Sequence, residues 1–279
     1  NVQMFTMDKN GVCSASNQTG FQSSGGVAAA LVPTYHHVDF EIAPDVNNLY
    51  AAVEGDLYGL DLSNPSNQWT PNVPAEQPTA IGLKHLYLQN GPNETLFAIT
   101  YGNNLIAANM TNQPVRWVDN YPSQLPVPFE RVCAVSGGMH GTQGYIFGLD
   151  APGNLYCALP PSGNWQLNYP NTQPAMFSEL CSIDQGPQNA GTLYALDKDG
   201  SIWACSVPGG TWSSTAVPAT PVPMASFSIA QWMAGMVNGN PVIQTNFYAI
   251  DTENKFWGCI VGQTGWKVNF PSAPPATLG

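Results

Sequence analysis

The chain has 279 residues, of which 9% are charged, with 27 glycines, 25 prolines and 8 tryptophans. Such a composition belongs to short strands joined by many turns and excludes long solvent-facing helices laced with ion pairs. A net charge of −11, with 7 Lys and Arg that form no cluster, argues against a nucleic-acid partner or an anionic membrane surface, and no apolar run is long enough to insert in a bilayer.

Read in chain order, one short pattern returns six times. It opens at Gln3-Met-Phe-Thr-Met-Asp8 and returns at Asn48-Leu-Tyr-Ala-Ala-Val53 and Thr95-Leu-Phe-Ala-Ile-Thr100. Further copies are Tyr145-Ile-Phe-Gly-Leu-Asp150, Thr192-Leu-Tyr-Ala-Leu-Asp197 and Asn246-Phe-Tyr-Ala-Ile-Asp251. The shared aromatic is Phe5, Tyr50, Phe97, Phe147, Tyr194 and Tyr248, at intervals of 45, 47, 50, 47 and 54 residues. That period suits a propeller blade of four short strands.

Each copy carries the same punctuation. Three residues after the aromatic stands Asp8, Asp150, Asp197 or Asp251, and a turn residue follows: Gly11, Gly55, Asn103, Gly153, Gly200 or Asn254. Gly and Asn tolerate φ > 0, which a tight hairpin requires, and an Asp at the hairpin start accepts bonds from turn N–H groups. Another strand follows, as in Ser201-Ile-Trp-Ala-Cys205. The outer strand opens on Trp69, Trp117, Trp165, Trp212 or Trp266, and Asn72, Asn120, Asn168 and Asn269 lie three residues beyond four of these. Prolines such as Pro78, Pro126, Pro174 and Pro221 then end a blade, and the next inner strand begins, for example at Phe129 or Phe177.

The expected fold is all-β: a six-bladed β-propeller of four-stranded antiparallel blades, with the first blade incomplete or closed by the C-terminal tail. One domain spans 1–279, with blades near 1–31, 32–77, 78–125, 126–173, 174–222 and 223–279.

Leu193-Tyr-Ala-Leu-Asp-x-x-Gly-x-Ile-Trp203, followed by Trp212, resembles the tectonin repeat, and all six copies can be written over that pattern. The copies are longer than most tectonin repeats, have Pro-rich crossings, and carry Ser14 and Ile106 where the first and third need a second aromatic. The resemblance implies a propeller lectin that binds cell-surface glycans or lipopolysaccharide.

Two sets of residues are candidate glycan contacts. Tyr58, Tyr156, Trp203 and Trp257 follow the hairpins, where a ring can stack on the apolar face of a sugar or fill space between blades. Asn72, Asn120, Asn168 and Asn269 can bond sugar hydroxyls or hold the turn in which they sit. The outer tryptophans read as packing wedges.

No catalytic residue, metal site or cofactor is expected, and the chain reads as a non-enzyme. Asp197-Lys-Asp-Gly200 lacks the distant Glu of a calcium loop, and the sialidase Asp pattern meets Lys198 at its Asp position. The alternatives are a protein-binding scaffold and a glycoside hydrolase or lyase at the propeller axis, for which Glu41, Glu130 and Glu179 on or near inner strands are the carboxylates available.

The 6 cysteines contain no zinc pairing, and counting along the repeat allows at most one of two bridges, Cys13–Cys259 or Cys157–Cys205. A first residue other than Met, three N-glycosylation triplets (Asn17, Asn93, Asn109) and scarce lysine place the protein outside the cell; a cytosolic protein with free buried thiols is the alternative.

Overall fold

A computed structural model describes residues 4–7, 13–17, 20–22, 38–43, 48–53, 55–61, 70–72, 75, 82–89, 95–111, 114–137, 142–160, 163–183, 191–237, 240–261 and 265–270. Every regular element among them is a strand. A first sheet holds β1 (Met4–Met7), β2 (Cys13–Asn17) and β3 (Gly20–Gln22) in that order. The second holds β4 (Val38–Ala43), β5 (Asn48–Val53), β6 (Asp56–Asp61) and β7 (Thr70–Pro71), and the third β8 (Leu83–Gln89), β9 (Thr95–Thr100), β10 (Leu105–Asn109) and β11 (Trp117–Val118). The fourth holds β12 (Phe129–Gly137), β13 (Thr142–Asp150), β14 (Leu155–Ala158) and β15 (Gln166–Leu167). Then come the three strands β16 (Phe177–Ile183), β17 (Thr192–Asp197) and β18 (Ile202–Ser206). The last sheet holds β19 (Met224–Val237), β20 (Asn240–Asp251), β21 (Phe256–Ile260) and β22 (Lys267–Val268).

The sheets are blades of the all-β propeller class, but six four-stranded blades is the wrong count. Five blades of three or four strands open on an inner strand, namely β4, β8, β12, β16 and β19, while the first copy yields a separate three-stranded sheet without one. The aromatic strand is second in each of the five blades, as β5 is, but β1 stands first in its sheet, and its pairing partner is the strand that follows it. Residues 271–279, expected to complete that copy, lie outside the described ones.

The blade of β16, β17 and β18 stops at three strands for a different reason. Ser213 makes a single bridge to Ala204 where the other blades have an edge strand. The position of the turn Asn is taken by Thr215, whose N–H and hydroxyl bond the Ser213 hydroxyl instead, a local bond that competes with strand pairing.

By contact density the chain divides into two compact units, Asn1–Thr34 with Tyr194–Ala204 and Ser213–Gly279, and Tyr35–Leu193 with Cys205–Trp212. In the second unit, successive blades share a core. Phe97, Ile99, Leu105 and Ala107 of β9 and β10 pack against Phe129, Val132, Ala134 and Ile146 of β12 and β13. Burying side chains of this size contributes about 1.5–3 kcal/mol each, which is why both faces of these strands are apolar.

Backbone bonds join one blade's hairpin to the start of the next blade. Gly55, Gly153 and Gly200 carbonyls accept from the N–H groups of Leu83, Phe177 and Met224, at 2.7, 3.1 and 3.2 Å. Gly200 has φ +84, and a Cβ there would lie 2.5 Å from Met224 N, so both its conformation and its close approach demand glycine. The other expected turn residues, Gly55, Asn103, Gly153 and Asn254, also have positive φ.

Candidate functional site

The hairpins are organised by their first carboxylate. Between β20 and β21, buried Asp251 accepts at Oδ1 from the Glu253 and Lys255 N–H groups (2.8 and 2.9 Å), and at Oδ2 from Trp257 Nε1 (2.8 Å). Between β17 and β18, Asp197 does the same with Asp199 N, Ser201 N and Trp203 Nε1, at 2.9, 2.8 and 2.8 Å. The indole six residues past each Asp is thus tied by its N–H to the turn, and the ring is half-buried at the blade's end. Among the described residues neither indole has an aromatic ring against it.

Burial by itself raises a carboxyl, but here it is outweighed. The bonds from Trp257 Nε1, Lys255 N and Glu253 N, with the Lys255 charge, hold the Asp251 carboxyl below its ordinary value of 3.8.

The same position differs in the other blades. Asp150 accepts from Gly153 N and Asn154 N at Oδ1 and from Asn154 Nδ2 at Oδ2. Burial, then the Asp150 charge and hydrogen bond, push the Tyr156 hydroxyl up. The Tyr156 ring packs on Phe129 with centroids 5.3 Å apart, and Trp165 meets the same Phe129 edge-on at 4.9 Å. In the blade of β8 to β11 Thr100 stands for the Asp and Ile106, fully buried, for the ring. Tyr58 is half-buried on β6, opposite exposed Pro71 of β7.

Asn72, Asn120, Asn168 and Asn269 all adopt the left-handed conformation, with φ of 57, 53, 59 and 55. Three of them donate their own N–H back across the blade, Asn72 to Leu57 O, Asn168 to Leu155 O and Asn269 to Phe256 O, at 2.7–2.8 Å. Their backbone turns the chain away from the outer strand. Each of these residues sits in the turn that follows its own blade's outer strand.

The outer tryptophans reach back to the preceding crossing. Trp117, Trp165 and Trp266 donate through Nε1 to Ala75 O, Ser123 O and Pro218 O, at 3.4, 3.3 and 3.0 Å. Trp212 packs on Phe177 (4.8 Å), and its buried Nε1 has no acceptor among the described residues. Trp69 lies outside the described residues.

The inner strands carry a polar lining that sequence reading missed. Three side chains of β8 reach carbonyls of β12: Lys84 to Phe129 O (3.2 Å), His85 to Val132 O (3.3 Å) and Tyr87 to Ala134 O (3.0 Å). The Tyr87 hydroxyl also bonds Ser182 Oγ on β16 at 2.6 Å. Carbonyls along a strand edge need such partners. Lys84 Nζ pairs with Glu130 Oε1 at 2.6 Å, so that carboxylate is committed to a neighbouring cation. Glu179 is half-buried on β16, and the Glu41 side chain lies outside the described ones. The separation of partners by 45 to 95 residues explains why no local pattern announced them.

Neither expected disulfide forms. Cys157, Cys205 and Cys259 are free thiols, as are Cys133 and Cys181. Cys157 and Cys259 turn their Sγ–H onto the carbonyl of the next residue in their own strand, Ala158 or Ile260, and Cys205 Sγ lies nearest Gly210 O at 3.3 Å. Burial pushes the Cys157 and Cys259 thiols up, and that of Cys205 up to about 11. Among the described residues no group of His, Cys, Asp and Glu could hold a metal ion, and no helix is long and apolar enough to cross a membrane.

Solved structures resemble this arrangement. The SapL1 lectin in complex with α-methyl fucoside superposes with a TM-score of 0.64 at 12% identity, over 98% of this chain and 93% of that one. The fold is that of a β-propeller. AofleA from Arthrobotrys oligospora gives 0.54 at 11% identity, over 95% of this chain and 84% of that one. A chain of the nidogen/laminin complex gives 0.58 at 9% identity, over 93% and 89%. No protein-family model and no curated protein matches the sequence.

Proposed function

We propose that the chain is a carbohydrate-binding protein whose repeated hairpin-end aromatics take up glycans, without a reaction being catalysed. The observation that carries this reading is the Asp–indole clamp: Asp197 with Trp203 and Asp251 with Trp257, each at 2.8 Å, each leaving a half-buried ring with no aromatic partner among the described residues. A pyranose presents an apolar C–H face to such a ring and its hydroxyls to nearby backbone and amide groups. A ring fixed by its own N–H loses little side-chain freedom when a sugar lands on it, which favours binding.

The likeness to a lectin carrying α-methyl fucoside supports the reading at the level of fold. The wider set of contacts comprises Tyr58 and Tyr156 and the turn residues Asn72, Asn120, Asn168 and Asn269. Clustered glycans on a cell or matrix surface are the partners, with weak single sites strengthened by simultaneous engagement, and the setting is extracellular. A hydrolase centred on Glu130 is disfavoured by the Lys84 ion pair, which would have to be displaced first.

A glycan array followed by calorimetry with simple sugars tests the proposal. Saturable binding that W257A weakens, in a chain still folded at the assay temperature, is expected. Flat calorimetry against every sugar that the array contains would sink it.

A further inference from the structure

The repeated ring positions are not equivalent, and the differences fall on two lines of chemistry. The first is ring availability. Ile106 is fully buried and aliphatic, and Tyr156 is covered by Phe129 at 5.3 Å. Among the described residues, Trp203 and Trp257 alone combine an indole, an N–H clamped by a hairpin Asp and the lack of a ring partner. The larger indole also offers the widest face for C–H contacts.

The second line is charge. The hairpin before Trp203 carries Asp197, Lys198 and Asp199, and the one before Trp257 carries Asp251, Glu253 and Lys255. Each therefore has two carboxylates against one lysine. Lys255 is already paired with Glu253 at 2.5 Å, and both Asp197 and Asp251 are buried, with three hydrogen bonds accepted by each. Neither hairpin carries an arginine to grip a sugar carboxylate or sulfate, and the chain as a whole stands at −11.

Resting on the carbohydrate-binding reading, we infer that the chain is divalent, binding through Trp203 and Trp257, and that its ligands are uncharged saccharides. The two indoles stand on consecutive blades, so one chain engages two residues of a clustered neutral glycan. Anionic sugars of the same ring size are turned away by the hairpin carboxylates, more strongly at low salt.

The test is calorimetric titration of the whole chain with methyl glycosides of fucose, mannose, galactose and N-acetylglucosamine, beside methyl sialoside, methyl glucuronoside and galactose 6-sulfate. At least one neutral glycoside is expected to bind at two sites per chain. W203A and W257A each leave one site with its affinity unchanged, and the double variant leaves none. Ile106→Val, at a fully buried aliphatic position, leaves two. W203F and W257F keep a ring but lose the bond to the hairpin Asp, so weakened binding at one site in a chain whose melting transition stays above the assay temperature separates loss of contact from loss of folding. Two sites that survive both alanine changes, or an anionic sugar bound tenfold more tightly than its neutral counterpart, overturns the inference while leaving carbohydrate binding intact. Silence from all seven sugars overturns both.

Discussion

Replacing Asp251 by Ala removes an acceptor that holds a whole hairpin end. Three donors lose their partner: the N–H groups of Glu253 and Lys255 and the indole N–H of Trp257. Hydrogen bonds to a charged group are worth about 1.5–3 kcal/mol each. The two backbone donors belong to exposed residues, so water replaces much of what they lose, whereas the indole is half-buried. The expected cost is about 3 kcal/mol, dominated by the indole and one backbone donor. In a domain of this size that corresponds to a fall in Tm of about 6–12 °C.

The effect carries a pH signature. The folded Asp251 carboxyl lies below its ordinary value of 3.8, so its contribution is complete above that value and is lost as pH falls through the lower, folded one. Urea unfolding of wild type, D251A and D251N at pH 7 and at steps below pH 4 measures both quantities. A double-mutant cycle with W257F isolates the indole bond, with an expected coupling of about 1.5–3 kcal/mol. A D251A stability within about 0.5 kcal/mol of wild type, the size of an ordinary surface change, would refute the clamp.

Three further outcomes follow from the same geometry. Gly200→Ala, at φ +84 and with a Cβ 2.5 Å from Met224 N, should cost more than about 2 kcal/mol by urea melts, whereas Gly209→Ala, with nothing within 4 Å, should be neutral within about 0.5 kcal/mol. Asn168→Ala at φ 59 should cost about 1 kcal/mol and Asn168→Gly much less, since the backbone conformation outweighs the one long bond that the carboxamide accepts, from Gln173 N at 3.5 Å; equal costs would point to the carboxamide instead. Thiol labelling of the native chain should be slow at Cys157 and Cys205 and become complete at the five described thiols in denaturant without any reductant, because none of them is paired. Rapid native labelling at either would contradict their burial.

Much of the fold was legible because a propeller blade repeats its own turn chemistry. Gly55, Asn103, Gly153, Gly200 and Asn254 could be recognised as turn residues from spacing alone, and each has positive φ. The Asp residues ahead of them could be recognised as turn caps for the same reason. The strand count in the blade of β16, β17 and β18 was harder to read. Trp212 announces an outer strand as firmly as Trp165 does, and only the Ser213–Thr215 side-chain bonds show why pairing stops at one bridge.

The candidate site was legible in part. Repetition located the ring at Tyr156, Trp203 and Trp257, but it could not distinguish a ring lying on Phe129 from one left open. Phe129 lies on Tyr156, whereas Phe177, which opens the inner strand before Trp203, pairs with Trp212, and Met224 opens the one before Trp257. The Lys84–Glu130 pair and the Tyr87–Ser182 bond were out of reach, since each joins strands of different blades and neither position repeats its residue type. The thiols misled because counting positions along the repeat says nothing of which way Sγ–H turns.

Crystals soaked in a mixture of neutral methyl glycosides test the central claim most directly. The account predicts a pyranose lying flat over the indoles of Trp203 and Trp257, with Asp197 and Asp251 still bonded to Nε1. Sugar density confined to the inner strands around Lys84 and Glu130, or none over either indole at saturating concentration, would contradict it.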